Sequence, residues 1–346
     1  MPVADEVAAV RASVGVSRPT HIAYVRLTGN GVREFVDRVV TSALRIRDGQ
    51  LLHTLILSDD GVPFADAYLG CDGEDFFLLA EGPTAAELVT RLEHLRPVGA
   101  GIEIIDCSAT HTIVGLDGPF AWELLAAVLD PEAIGLPYLT FYHMEDWTCY
   151  RAGKTGEFGY GIIVPNADAA GLEAAVAKEG AMFDARDVAL AALDQCALEN
   201  WFFNIRREGR SGATPLELQL QWRLGSKKEF IGGGALRSLK GAGIRRRLTT
   251  LVSSSSVAVG DAVSLDGAPA GSVVNAGYCD PRQEWIALAL LDVACAYPGV
   301  RFTAPTSAEV RSISPPVLFN RSLSVSPQLH SYLTREEHPA PPLVRR

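Results

Sequence analysis

One acid, Glu157, stands in a glycine-rich run: Arg151-Ala152-Gly153-Lys154-Thr155-Gly156-Glu157-Phe158-Gly159-Tyr160-Gly161-Ile162-Ile163-Val164-Pro165. Glycines at 153, 156 and 159 permit tight or left-handed backbone and leave room for something flat to lie close. The apolar run from Tyr160 to Val164 predicts a strand that fixes the acid rigidly. A carboxylate in a glycine-walled recess can read a donor–donor edge, such as the N–H groups of a guanidine or an aminopyrimidine ring. Taken alone, the same run also reads as a hairpin turn with a solvated acid.

Composition bounds what surrounds that turn. The chain has 346 residues, room for two or three domains, and 48% hydrophobic residues, ample for a packed core. A net charge of −10 argues against a general nucleic-acid or anionic-membrane binder. Six cysteines, at 71, 107, 149, 196, 279 and 295, are scattered without a C-x-x-C pair, so neither a zinc site nor a disulfide framework is indicated. His53, His111 and His143 have no neighbours at metal spacing, and no metal is expected. No leader and no apolar run of transmembrane length is evident, which predicts a reduced, soluble, cytoplasmic protein.

Along the chain, residues 1–19 read as a short helix and an entry loop. His21 to Leu27 is a strand, Thr28-Gly29-Asn30-Gly31 a turn, and Val32 to Ala43 a helix. Strands follow over Leu51–Leu57, from Asp66 to Leu69, and over Phe76–Ala80, then a helix over Thr84–Leu95. The opening unit recurs as strand His111–Leu116, turn Asp117-Gly118-Pro119 and helix Ala121–Leu129. Laying Leu27-Thr28-Gly29 over Leu116-Asp117-Gly118 brings Glu34-Phe35 onto Glu123-Leu124, which suggests an internal duplication. Helices are predicted over Asp168–Gly180 and Asp184–Phe203, with Asp184 as N-cap. Thr214 to Trp222 reads as extended, and Gly241-Ala242-Gly243 as a linker. Short strands beyond it (Arg245–Val252, Ala262–Leu265, Gly271–Ala276, Trp285–Leu291) suggest a small barrel.

Arg-x-Gly-x-Thr-Gly-Glu-x-Gly-Tyr before an apolar strand resembles the signature of the glycine-cleavage T-protein (aminomethyltransferase) family, which includes tetrahydrofolate-dependent demethylases. Further landmarks follow in collinear order. They are Thr214-Pro215-Leu216-Glu217 with Trp222, then Lys227-Lys228-Glu229-Phe230-Ile231-Gly232, then Gly271 to Gly277 with Asp280-Pro281 and Ile286-Ala287-Leu288-Ala289. The resemblance spans roughly residues 20–303. It implies an α+β fold: a folate-binding catalytic region of two related subdomains over 1–243 and a small C-terminal β-barrel domain over 244–325. A Pro-rich extended tail is expected over 326–346.

The resemblance also implies roles. Asp66 is the candidate catalytic acid; the family carries paired aspartates here, and Ala65 takes the other place. Glu157 is the candidate pterin partner, with Tyr160 beside it. Lys154 stands where the family usually has Tyr, on the substrate side. Glu199 matches a family glutamate on the folate side, but Ala197 replaces an arginine that contacts the folate tail and Trp201 replaces a glycine on the substrate side. Arg206, Arg207 or Arg210 is left to hold that tail. Trp222 lines the pocket or sits in the core. The implied cofactor is tetrahydrofolate, and the implied function is one-carbon transfer (methyl or aminomethyl) from a small-molecule donor. Two alternatives stand beside it: glycine-cleavage aminomethyl transfer with a lipoylated carrier protein, and a non-catalytic folate-binding accessory role.

Overall fold

A computed structural model describes residues 2–305, 309–339 and 341–344. The chain enters through α1 (Val3–Ala12) and β1 (Gly15–Ser17). One unit follows: β2 (Ala23–Gly29), α2 (Val32–Val39), β3 (Gln50–Leu57), β4 (Pro63–Asp72), β5 (Asp75–Glu81) and α3 (Ala85–Leu95), with β6 (Ile102–Asp106) closing it. The second unit repeats the pattern as β7 (His111–Asp117), α4 (Ala121–Val128), β8 (Thr140–Met144), β9 (Trp147–Arg151), β10 (Gly159–Pro165) and α5 (Asn166–Gly180). β11 (Arg186–Asp187) and α6 (Leu190–Glu199) come next.

The duplication is visible in the sheet. Eleven strands run in the order β11-β1-β7-β10-β9-β8-β3-β4-β5-β2-β6. Read outward from the β8–β3 junction, each unit presents the same sequence of strands, and within each unit every pairing is antiparallel. The junction itself rests on one registered pair, Gln50 and Thr140.

Local chemistry explains the elements. α2 buries Val32, Phe35, Val36 and Val39, one helical stripe, against the first unit's core. Thr84 and Glu87 cap α3 reciprocally. On β10, Tyr160, Ile162 and Val164 face the second unit's helices while Ile163 faces the other way. That other face belongs to a core both units share, where Tyr68, Phe77 and Leu79 meet Phe141, Tyr150 and Ile163.

After α6 the chain makes turns rather than the extended run expected over Thr214–Trp222. α7 (Gly233–Ala242) runs into the expected linker and stops at Gly243, whose φ of +82° suits glycine. Then β12 (Arg246–Ser253), β13 (Ala262–Leu265), β14 (Ala268–Cys279), β15 (Glu284–Asp292), β16 (Arg301–Thr303) and β17 (Glu309–Ile313) close a barrel in the order β12-β15-β14-β13-β16-β17. Leu251, Val263, Leu291 and Phe302 fill it. Leu248, Ile286 and Leu288 pack outward onto Leu55, Leu57 and Phe203 of the first region.

Two further expectations need correction. Asp184 is not a helix cap: its φ is +48°, its carboxylate accepts from the Tyr332 hydroxyl, and the helix starts at Leu190. Of the tail expected over 326–346, residues 340, 345 and 346 lie outside the described residues, and the rest is not a free extended segment. Tyr332 is buried against Phe120 and Phe183, and Glu123 accepts from the Ser331 hydroxyl and the Tyr332 amide. Among the described residues, the six cysteines are buried and unpaired, and no helix is long and apolar enough to cross a membrane.

Candidate functional site

A cavity of about 720 Å3, counted out to its open mouth, lies where the two units face each other. Tyr68 of β4 and Tyr150 of β9, topologically equivalent strands, form its walls; Tyr160 borders it from β10, with its ring turned to the second unit's helices. Tyr150 can lie flat there because its neighbour across the ladder is Gly161. A Cβ at 161 would come within 2.1 Å of the Tyr150 ring. Burial pushes the Tyr160 phenol up to about 12 and Tyr68 well above its ordinary value, so all but the neutral form is excluded near neutrality.

Asp117, the last residue of β7, reaches into this cavity opposite Gly159. A Cβ on Gly153 or Gly159 would stand only 3.2 or 3.0 Å from its Oδ1. The glycines of the 151–165 run therefore wall Asp117, not Glu157. Thr155 Oγ1 donates to Asp117 Oδ1 at 3.0 Å, and no cation among the described residues pairs with it. Burial pushes its carboxyl up to about 7, partly opposed by the Thr155 hydrogen bond.

Every other charge at the cavity is balanced. Arg223, Asp66, Lys154, Glu81, Arg206 and Asp194 alternate in sign along one chain of contacts. Arg223 Nη1 lies 2.7 Å from Asp66 Oδ1, and Lys154 Nζ 2.7 Å from Asp66 Oδ2 and 2.6 Å from Glu81 Oε1. Arg206 gives one Nη to Glu81 and the other to Asp194. His53 adds a third contact to Asp66, Nε2 to Oδ1 at 2.9 Å, and its ring lies against Tyr68. Burial alone would raise the Asp66 carboxyl, but Lys154, Arg223 and His53 hold it well below the usual carboxylate range. Burial would lower the Lys154 ammonium; Asp66 and Glu81 outweigh it and raise it.

The structure thus gathers Lys154, Tyr160 and Arg206 at the cavity. Asp66 stands one contact back, reached through Lys154. Glu157 is elsewhere: its carboxylate accepts from the amides of Arg321 (3.1 Å) and Ser322 (2.7 Å), from the Ser322 hydroxyl (2.6 Å) and from Arg11 (3.4 Å). Glu199 shares that arginine, Nη2 to Oε2 at 2.9 Å, and also accepts from Gln195. Neither acid lines the cavity. Trp201, at φ +62°, packs toward the barrel. Trp222, expected in pocket or core, is 67% exposed, beneath the Arg223 guanidinium. Among the described residues, no cluster of three or more His, Cys, Asp or Glu could hold a metal ion.

Sequence reasoning missed Asp117, Tyr68, Tyr150 and Glu81. For Asp117 a signal existed. In the overlay of the repeated units it falls on Thr28, so the second copy carries an acid where the first carries a hydroxyl.

A family model described as the GCVT N-terminal domain matches residues 1–228. The aminomethyltransferase of Frankia alni is 31% identical over 306 residues, which cover 82% of this chain and 80% of that protein. The aminomethyltransferase of Mycobacterium leprae is 30% identical, covering 84% and 81%. In fold, the chain matches the crystal structure of glycine cleavage system aminomethyltransferase T from Bartonella henselae with a TM-score of 0.80, over 91% of this chain and 89% of that one, at 22% identity.

Proposed function

The chain belongs to the GCVT (aminomethyltransferase) family, and we propose that it transfers a one-carbon unit, methyl or aminomethyl, between a small molecule and tetrahydrofolate held in the Tyr68–Tyr150 cavity. The observation that carries this reading is Asp117: a buried, glycine-walled carboxyl without a cation among the described residues, in an aromatic-lined cavity. An unpaired buried acid is costly. A ligand whose ring offers N–H donors repays that cost, which is the recognition a pterin requires. Tetrahydrofolate, when bound, supplies the nitrogen that takes up the carbon unit.

The remaining roles belong to this chain's own residues. Tyr68 and Tyr150 exclude water and offer flat surface to a ring. Asp117, at about 7, can hold or release a proton near neutrality, whereas Asp66, clamped by three partners, stays ionised. Asp66 therefore acts by keeping Lys154 in place. Arg206 has both Nη groups occupied by acids, so it shapes the mouth rather than waiting for an anionic tail.

Anaerobic calorimetric titration with tetrahydrofolate tests the reading. Micromolar binding, weakened at least about tenfold in Asp117→Asn, is expected. No binding to the wild type removes folate from the cavity. Formation of 5-methyltetrahydrofolate from methoxylated or methylthio compounds then identifies the donor class. The name of the relatives, aminomethyltransferase, favours a second reading, aminomethyl transfer; with a lipoylated carrier proposed as the donor, a glycine-cleavage assay with that carrier separates the two.

A further inference from the structure

The C-terminal segment builds a second cleft, which shares no lining residue with the cavity above. Counted to its mouth it measures about 1160 Å3. Phe120, Pro119 and Pro339 give it apolar wall. Its charged and polar lining runs the opposite way from the rest of a chain of net charge −10: Arg321, Arg335, His330 and His338 line it, and no carboxylate does among the described residues.

Each of these groups has donors to spare. The Arg321 amide is spent on Glu157, but its guanidinium has no partner among the described residues, and Nε is buried. Arg335 lies 3.8 Å over the Tyr332 ring and gives Nη1 to the Tyr332 carbonyl at 2.7 Å, without meeting an acid. His330 Nδ1 faces the Ser326 main chain, 2.9 Å from its amide and 3.2 Å from its carbonyl oxygen, and Nε2 has no partner among the described residues. His338 stands edge-on to His330 at 5.3 Å. The two hydroxyls in the lining are committed: Ser324 donates to the Arg321 carbonyl and Ser331 to Glu123. The nearby acids are likewise occupied, Glu123 by Ser331 and Tyr332, Asp184 by the Tyr332 hydroxyl.

A cleft that offers donors and positive charge beside aromatic and proline surface calls for a ligand with acceptors at one end and an apolar body. Two guanidiniums and an imidazole present more donors than one carboxylate can satisfy; the three oxygens of a phosphate monoester match them. We infer that this cleft binds an organic phosphate, its phosphoryl group on Arg321 and Arg335 and its body on Phe120 and the prolines.

Calorimetric titration of the full chain with phenyl phosphate, inorganic phosphate and benzoate tests this. Phenyl phosphate should bind below about 1 mM, and inorganic phosphate and benzoate each at least about tenfold more weakly. Arg321→Gln and Arg335→Gln should each weaken phenyl phosphate about tenfold or more. Arg321→Gln keeps the main-chain bond to Glu157, and circular dichroism of both variants checks that they are folded. Absence of phenyl phosphate binding at about 10 mM, unchanged affinity in both variants, or benzoate binding as tightly as phenyl phosphate would each overturn the inference.

Discussion

Thr155 Oγ1 and Asp117 Oδ1 meet at 3.0 Å, and that hydrogen bond is the carboxyl's one polar contact among the described residues. Burial outweighs it and lifts the acid from its ordinary 3.8 to about 7. The folded chain then holds this proton more tightly than the unfolded chain. Its contribution to stability is fully present below pH 3.8 and is lost as pH rises through about 7, leaving a cost on the order of 4 kcal/mol above that. Asp117→Asn removes the titration. Urea unfolding of both proteins should show the variant gaining roughly 2–3 kcal/mol on the wild type between about pH 5 and about pH 8. A gap that does not change with pH would mean that Asp117 ionises normally.

Lys154 occupies the middle of the alternating charge chain, between Asp66 and Glu81. Replacing it by methionine leaves Asp66 to Arg223 and His53 and leaves Glu81 to Arg206. The amine is 14% exposed, so solvent screens it little. Loss of about 3 kcal/mol is expected from the denaturant midpoint. A change below about 0.5 kcal/mol would show that the network adds nothing to stability.

Glu157 makes a different prediction from the one its sequence context suggests. Its carboxylate fastens the segment after Asn320 to the 153–159 turn. Glu157→Ala should cost about 3 kcal/mol and expose that segment to proteases. Tetrahydrofolate affinity of the folded fraction should stay within about twofold. Normal stability with lost ligand affinity would return Glu157 to the cavity.

Trp222→Ser should change stability by less than about 1 kcal/mol, since the ring is largely in water and gives up one contact, 4.8 Å beneath the Arg223 guanidinium. Ligand binding should be unaffected. A large loss of affinity would place the indole at the cavity mouth.

Much of the fold could be read from the chain. The stripe Val32, Phe35, Val36, Val39 specifies α2, the repeated strand–turn–helix forecasts the two-unit sheet, and short strands after residue 244 forecast the barrel. The same reading picked out the 151–165 run as the place where glycines make room. It could not say for which acid. Glu157 and Asp117 are 40 residues apart in sequence, and only the antiparallel register that sets Gly159 opposite Asp117 decides which one the glycines enclose. Asp66 was legible as an acid on a strand, but its partners Lys154 and Arg223 arrive from distant segments. Trp222 was misplaced because an aromatic residue's burial depends on what packs over it, which local pattern does not carry.

Arg11 lies near the start of the chain, yet everything that satisfies its guanidinium is made late. Its Nη1 donates to the Thr155 carbonyl at 2.8 Å and to the Asn320 side chain at 2.7 Å, and Nη2 pairs with Glu199. During synthesis from the N-terminus, α1 can therefore not be locked in place until about two hundred residues have been added, and the knot closes only when Asn320 leaves the ribosome. The first unit can assemble its core from residues 23–102 before that, so the helix that opens the chain is among the last elements to be fixed.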